Sequence, residues 1–164
     1  MSFTVTPIDT NDKREFYNML YTQAKALMEG EEDVIANLAN ISALLYEQLD
    51  NINWAGFYLM KQGELVLGPF QGKVACIRIP VGKGVCGTAV LKNETILVPD
   101  VHKFPGHIAC DAASRSEIVI PIRYNNQIVG VLDIDSPINV RFDTEDQQGL
   151  EKIVEEIQNK CRWD

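Results

Sequence analysis

The segment INWAGFYLM, residues 52–60, constrains the fold most, because both of its alternating sets of side chains are apolar. A strand of that kind belongs at the centre of a sheet whose two faces are covered. Two further apolar runs, EIVIPIRY (117–124) and QIVGVLDID (127–135), flank Asn125-Asn126, a pair typical of a hairpin turn. The sequence therefore predicts an antiparallel sheet with helices packed on it.

Apolar residues at helical spacing predict three longer helices: one in 12–29, one in 32–49, and a closing helix that begins near Asp143, a good N-cap residue. The remaining elements are short. Strands are predicted at 64–68, 73–80 and 95–100, and a helix at 85–92. Hairpins combined with helices indicate an α+β fold. The length of 164 residues suits a single domain, 1–164, with one core.

The charge of the chain limits its partners. A formal net charge of −8, with no cluster of lysine or arginine, argues against a nucleic-acid groove and favours a small or cationic partner. No apolar stretch is long enough to cross a bilayer. The start, MSFTVTPIDTNDK, lacks the basic and apolar regions of a secretion signal, so we expect a cytoplasmic protein that binds neither membranes nor nucleic acids.

Four cysteines, Cys76, Cys86, Cys110 and Cys161, need separate explanations. A reducing compartment does not maintain a permanent disulfide framework, so each is a packing residue, a metal ligand or a redox-active thiol. Cys161 lies four residues after Ile157 on the apolar stripe of the closing helix. That spacing predicts a packing role for Cys161.

The segment GKGVCG, residues 82–87, matches the G-x-G-x-x-G pattern of dinucleotide-binding proteins. That interpretation also needs a βαβ unit, and the helix that follows here is only two turns long. A glycine-loosened turn that starts a helix fits better. It places Cys86 in the first turn of the helix, where backbone N–H groups favour a thiolate.

Cys110 lies in 101–116, a stretch without periodicity that is long for a connection without a function in a compact domain. Small residues follow the cysteine, so its sulfur should be accessible. If Asp111 caps a short helical turn and Arg115 lies close by, both features lower the pKa of the thiol and favour the nucleophilic thiolate. On these residues alone, an ordinary loop cysteine fits equally well.

A metal site is a further possibility for this stretch, because His102 and His107 precede Cys110. A closed zinc site needs four ligands, and no C-x-x-C or H-x-x-x-H pair accompanies these residues. A fourth ligand could come from Cys76 or Cys86, but nothing in the sequence requires it. We therefore expect no metal and no cofactor.

Asp133 and Asp135 should project from one face of a strand, roughly 6–7 Å apart, because strand side chains alternate. Two such charges repel unless a cation lies between them: a lysine or arginine, a metal, or the ammonium group of a ligand. Two solvated carboxylates at a strand end are the alternative. Trp54, in the central strand, could belong to the core or form the wall of a small pocket.

Taken together, five segments resemble the free methionine-(R)-sulfoxide reductases, a family built on the GAF domain. They are NWAGFYL (53–59), ACIRIPVGKGVCGTA (75–89), VPDVH (98–102), HIACDAASRSEIVIPI (107–122) and VGVLDIDSP (129–137). The resemblance spans essentially the whole chain. It implies one GAF domain, a six-stranded antiparallel sheet flanked by helices, and a homodimer. A GAF domain that only binds ligands would share the fold without the three cysteines.

The resemblance also implies an oxidoreductase that reduces free L-methionine-(R)-sulfoxide to methionine, a defence against oxidative stress, with thioredoxin restoring the enzyme. Cys110 matches the family's catalytic cysteine, Cys76 its resolving cysteine and Cys86 a third cysteine. The residues that match the substrate pocket are Trp54, Glu117, Asp133 and Asp135. The rival interpretations are a non-catalytic GAF domain that binds a small molecule or senses redox state, and a metal-binding redox sensor.

The predicted hairpin conflicts with a role for Glu117 in that pocket. A plain two-residue turn at Asn125-Asn126 would pair Glu117 with Ile134, and directly paired residues share a face of the sheet. Glu117 would then point away from the two aspartates. Pro121 lies within the same strand, where a bulge is a common accommodation. We therefore predict a bulge there, a turn of odd length, or a Glu117 that precedes regular pairing.

Overall fold

The computed structural model describes residues 3–108 and 110–164. Four α-helices and six strands account for most of the chain. The helices are α1 (Lys13–Leu27), α2 (Val34–Gln48), α3 (Gly84–Lys92) and α4 (Thr144–Lys160). The strands are β1 (Trp54–Lys61), β2 (Glu64–Gly72), β3 (Arg78–Pro80), β4 (Ile96–Val98), β5 (Ser116–Tyr124) and β6 (Gln127–Ser136). Within these described ranges, every helix is too short or too polar to serve as a bilayer span.

The six strands form one antiparallel sheet in the order β3-β2-β1-β6-β5-β4. This confirms the predicted α+β fold with a six-stranded antiparallel sheet. The first six residues of β1 are all buried, as expected for a central strand. On one face, Phe57 and its alternating neighbours pack into a core with α1, α2 and α4. On the other face, Trp54 and Tyr58 pack into a second, smaller core with α3.

Aspartate caps fix the starts of the three longer helices, of which the sequence analysis predicted only Asp143. Asp12 and Asp33 accept hydrogen bonds from backbone N–H groups of the first turns of α1 and α2. Asp143 caps α4, and Asp146 closes a capping box by accepting from the N–H of Asp143. These side chains satisfy N–H groups that have no partner within the helix, and so define where each helix begins.

The strand predicted for 73–80 is wrong over most of its length, because only Arg78–Pro80 joins the sheet as β3. Residues 73–77 form an irregular connection, and β2 instead continues to Gly72. The backbone of this connection is bonded mainly by side chains: Trp54 Nε1 donates to the carbonyl of Lys73 at 3.1 Å, and Tyr58 Oη donates to the carbonyl of Cys76 at 2.8 Å. The alternating apolar residues of this segment resemble a strand pattern. Its backbone instead accepts hydrogen bonds from the aromatic side chains beneath it.

The β5–β6 hairpin resolves the conflict over Glu117. Asn125 and Asn126 form a two-residue turn with φ of 52° and 62°, the left-handed values that such a turn requires. Arg123 pairs with Ile128, but Ile122 pairs with Gly130, so Val129 is an extra residue on β6. Glu117 consequently pairs with Asp135. The hairpin therefore contains a bulge, as one of the three predicted alternatives required, but it lies on β6 and not at the predicted place, Pro121.

A buried carboxylate joins the first and last helices. Asp146, on α4, accepts hydrogen bonds from Tyr17 Oη at 2.6 Å, from Lys13 Nζ at 2.6 Å and from Arg141 at 3.3 Å. The two cations balance its charge, which would otherwise be costly to bury. This network connects α1 to α4 on the face of the sheet opposite the second core.

Candidate active site

A disulfide joins Cys76 to Cys110, which lie 34 positions apart in the chain and have their Cα atoms 5.6 Å apart. Cys76 is half-buried in the 73–77 connection, and Cys110 is exposed in the loop before β5. Ala109, the neighbour of Cys110, lies outside the described residues. The disulfide borders a cavity on the face of the sheet that carries the second core. Cys110 and Cys76, which the resemblance assigns as the catalytic and resolving cysteines, are therefore bonded to each other beside this cavity.

Three carboxylates line that cavity: Glu117 from β5, and Asp133 and Asp135 from β6. Asp133 and Asp135 share a face because they are two positions apart, and Glu117 joins them because the bulge pairs it with Asp135. Glu117 and Asp133 are each only 6% exposed. Among the described residues that line the cavity there is no lysine or arginine. His107 is the one basic side chain among these lining residues, and burial lowers its pKa and so disfavours its charged form.

Burial controls the protonation of the three acids. It raises the pKa of Glu117 well above its ordinary value, and the charges of Asp133 and Asp135 raise it further. The pKa of Asp135 is raised in the same way, by burial and then by Asp133. Burial also raises the pKa of Asp133, against hydrogen bonds that favour its ionised form. Asp133 Oδ1 is buried with no hydrogen-bond partner among the described residues, so the cavity offers a free acceptor.

Cys86 lies in the first turn of α3, as predicted, but the expectation that this position favours a thiolate is wrong. The residue is only 4% exposed. Burial raises the pKa of its thiol well above the ordinary value, and the nearby charges of Asp133, Glu117 and Asp135 raise it further. Desolvation and three acids outweigh the N–H groups of one helical turn. Ligand atoms of Cys86, Glu117 and Asp133 lie within 4.8 Å of one another, a spacing at which they could surround a cation.

The two histidines separate in the structure. His102 is exposed and pairs with Asp100, its Nδ1 lying 3.3 Å from a carboxylate oxygen. His107 lines the cavity, with Nε2 at 4.0 Å from Oε1 of Glu117, and burial lowers its pKa. The metal set of His102, His107 and Cys110 is not brought together, because His102 faces solvent and Cys110 is bonded to Cys76.

Aromatic side chains form the apolar wall of the cavity. Trp54 stacks against Tyr58 and Phe70, with ring centroids 5.9 and 5.1 Å apart. Gly72 leaves room for the indole, since a Cβ there would lie 2.6 Å from the Trp54 ring. Trp54 was predicted as core or pocket wall, and it serves both purposes. The sequence reasoning missed Tyr58, although its position four residues after Trp54 puts it on the same strand face.

The loop that carries Cys110 is tied to the start of β1. Asn53 donates hydrogen bonds to Asp111 at 2.9 Å and to Ser114 at 3.1 Å. Asp111 accepts from the N–H of Ala113, which lowers its pKa, and Asn53 and the positive charge of Lys73 lower it further. The predicted helical turn is only a single turn, 111–114, with no helix behind it. A helix N-terminus therefore does not act on Cys110.

Comparison with known proteins places these features in a family context. The family model described as GAF domain matches residues 33–159. A free methionine-R-sulfoxide reductase of Escherichia coli is 60% identical over 90% of this chain and 89% of its own length, and one of Saccharomyces cerevisiae is 46% identical over 92% and 88%. The X-ray structure of the Neisseria meningitidis free methionine-R-sulfoxide reductase in complex with its substrate superposes with a TM-score of 0.91, at 41% identity over 95% of this chain and 94% of that one.

Proposed function

Because the chain belongs to the GAF-domain family and, within it, to the free methionine-R-sulfoxide reductases, which are oxidoreductases, we propose that it reduces free L-methionine-(R)-sulfoxide to L-methionine. One observation carries the proposal: the Cys76–Cys110 disulfide borders a cavity lined by three acids, two of them buried. The disulfide is the product expected after one round of sulfoxide reduction, and the acids provide both charge and a proton for that reaction.

The cavity suits a free amino acid rather than a methionine within a protein. Asp133 and Asp135 would bind the substrate ammonium, the cation that no lining side chain supplies. Asp133 Oδ1, which lacks a partner, would accept one of its hydrogen bonds. A peptide-bound methionine has no ammonium group and would leave these buried acceptors unpaired, at a cost of about 1–3 kcal/mol each. Trp54 would contact the methyl group on sulfur.

In the first chemical step, the Cys110 thiolate attacks the sulfoxide sulfur and forms a sulfur–sulfur bond. The oxygen is a poor leaving group until its developing charge is neutralised. Glu117 supplies the proton, because burial keeps its carboxyl protonated at pH values where an exposed glutamate is ionised. The protonated oxygen then transfers to the sulfur of Cys110, and methionine departs. The substrate sulfur gains two electrons, and Cys110 becomes a sulfenic acid.

In the second step, the Cys76 thiol condenses with the Cys110 sulfenic acid, releases water and forms the disulfide. The 5.6 Å separation of the two Cα atoms supports Cys76 as the resolving residue. Cys86 remains a free, buried thiol whose raised pKa makes it a weak nucleophile. Its position among the acids fits a part of the pocket wall better than a redox partner.

A dithiol carrier completes the cycle. Its thiolate attacks the exposed sulfur of Cys110, the Cys76 sulfur leaves and takes up a proton, and the carrier's second thiol then releases Cys110. Two electrons pass to the protein and the carrier becomes a disulfide. We assign this role to thioredoxin and place the reaction in the cytoplasm, where thiols are kept reduced. By family resemblance we also propose a homodimer, which a mass measurement in solution tests.

The test compares turnover of the R and S epimers of free methionine sulfoxide, with thioredoxin or a small dithiol as reductant. Wild type and Cys161→Ser, a matched change at a buried cysteine away from the cavity, should turn over the R epimer. Cys110→Ser should form no methionine. Equal activity of Cys110→Ser and wild type would refute the assigned nucleophile. Binding of the sulfoxide without turnover by wild type would instead support a sensor.

A further inference from the structure

Two apolar side chains beside the disulfide are largely exposed to solvent. Val74 is 88% exposed, the largest value among the large apolar residues of the described chain, and Ile77 is 68% exposed. They lie on either side of Cys76 along the 73–77 connection. Isolated exposed apolar residues are common, but a pair at a reactive disulfide indicates a contact surface.

The exposure of these side chains does not come from loose backbone. The connection is held from below by Trp54 at Lys73 and by Tyr58 at Cys76, and the carbonyl of Ile77 accepts a hydrogen bond from the N–H of Leu67 at 2.9 Å. The backbone is therefore fixed at three points while its apolar side chains face solvent. A rigid arrangement of this kind suits contact with a partner, because little conformational entropy is lost on binding.

Three exposed cations lie next to residues around the disulfide. The protein has a net charge of −8, yet exposed cations follow or precede residues that line the cavity: Lys73 beside Val74, Lys83 beside Gly84, and Arg115 beside Ser114. Within residues 3–108 and 110–164, none of the three forms an ion pair. The charge of Lys73 lowers the pKa of Asp111, but an acidic partner would have no ion pair to displace at any of the three cations.

From these observations we propose that a docking face surrounds the disulfide and receives the reductant, a thioredoxin-type dithiol oxidoreductase with an apolar surface next to its nucleophilic cysteine and an acidic surface around it. The docking face consists of Lys73, Val74, Ile77, Lys83 and Arg115. The proposal rests on the proposed function, because only a reducible disulfide needs such a partner. The electron transfer is the exchange already given: a carrier–Cys110 bond forms, the Cys76–Cys110 bond breaks, and the carrier's second thiol displaces Cys110.

The two parts of the docking face have different effects on the encounter. Charge complementarity mainly accelerates association, and it weakens as salt screens the charges. The apolar pair provides the contact that holds the carrier while sulfur atoms exchange. A small interface of this kind fits a transient redox encounter, which must end after each transfer.

The first test replaces the apolar residue that does not line the cavity, Ile77→Ser, and measures kcat/KM for thioredoxin and for dithiothreitol. We expect kcat/KM for thioredoxin to fall about tenfold while the value for dithiothreitol stays within about twofold. Ile35→Ser is the matched control, since Ile35 is 55% exposed on α2 at the opposite face of the sheet. An unchanged kcat/KM for thioredoxin would overturn the proposal.

The second test replaces the cations, Lys73→Glu together with Lys83→Glu, with Lys61→Glu at the far end of β1 as control. The variant should lower kcat/KM for thioredoxin and remove its decrease with rising salt. A salt dependence identical to that of wild type would exclude the charged part of the docking face. A shift of the Ile77→Ser variant from dimer to monomer in solution would assign the surface to a second copy of the chain instead. Absence of turnover with dithiothreitol in wild type would refute the proposed function itself, so the two failures are distinguishable.

Discussion

At the scale of single residues, the acids of the cavity are unusual because they lie close together without a strongly basic side chain beside them. Three acids line the cavity without a lysine or arginine among its described lining residues. The sequence context was sufficient to single out Cys110 and the two aspartates as candidates, whereas Glu117 was nominated by the family resemblance. It was not sufficient for Cys86, whose reactivity depends on burial and on acids brought from β5 and β6 by tertiary contacts.

The first prediction concerns Glu117 as the proton donor. Glu117→Gln should lower single-turnover methionine formation by about 10²-fold, because an amide cannot protonate the sulfoxide oxygen. In wild type the rate should fall as pH rises through the raised pKa of Glu117, since only the protonated carboxyl donates. The variant should lack that decrease. The exposed Glu94→Gln is the control, and a Gln variant with a wild-type rate and pH profile would remove Glu117 from the mechanism.

The second prediction distinguishes the role of Cys76 from that of Cys86. Cys76→Ser should complete one turnover and then stop with thioredoxin, because no intramolecular disulfide forms and Cys110 remains a sulfenic acid. Cys86→Ser should retain thioredoxin-dependent turnover to within about tenfold, since its buried thiol takes no part in exchange. Mass analysis of the oxidised variants checks both statements. A disulfide between Cys86 and Cys110 in the Cys76 variant, with continued turnover, would contradict them.

At the scale of elements, the accurate predictions came from periodic segments and the errors from segments fixed by distant side chains. The helices at 12–29 and 32–49 and the hairpin at 117–135 follow local rules of spacing, capping and turn formation. The stretch 73–77 has the alternation of a strand, but hydrogen bonds from Trp54 and Tyr58 hold it out of the sheet. These hydrogen bonds connect residues about 20 positions apart, so the hydrophobic periodicity of a short segment cannot predict them.

The third prediction follows from the tether at Cys76. Tyr58→Phe removes the hydrogen bond to the Cys76 carbonyl but keeps the aromatic ring, so methionine formation in the first turnover should persist. Disulfide formation should slow several-fold, because the variant loses one hydrogen bond worth about 0.5–1.5 kcal/mol. Trapping of the Cys110 sulfenic acid with a dimedone reagent measures the difference. Tyr46→Phe, an exposed residue on α2, is the control, and equal trapping in both variants would show that the tether does not position Cys76.

At the scale of the whole molecule, stability and reactivity occupy opposite faces of one sheet. The larger core, with α1, α2 and α4 and the Asp146 network, lies on one face, and the cavity with α3 lies on the other. The sequence predicted a central strand covered on both faces. It could not assign the catalytic residues to the smaller core, because that assignment depends on the register of six strands.

The fourth prediction concerns the energetic effect of the disulfide on the molecule. Closing a loop of 34 positions should make the oxidised protein more stable than the reduced protein by about 3–4 kcal/mol, mainly by restricting the unfolded chain. Guanidinium unfolding with and without dithiothreitol measures the difference. A variant with both Cys76→Ser and Cys110→Ser should unfold at one denaturant concentration under both conditions. The prediction fails if the wild type also shows no change on reduction.

The extra residue Val129 makes the register of the hairpin depend on the bulge. Without the bulge, the two-residue turn would pair Glu117 with Ile134 and turn Glu117 towards the larger core; leaving Val129 unpaired shifts every later pair by one and brings Glu117 opposite Asp135. Deletion of Val129 would therefore keep these two acids on one face, because the extra residue and the bulge would disappear together. An extra residue that formed no second bulge would instead move Glu117 to the other face of the sheet, with every acid and cysteine still in place.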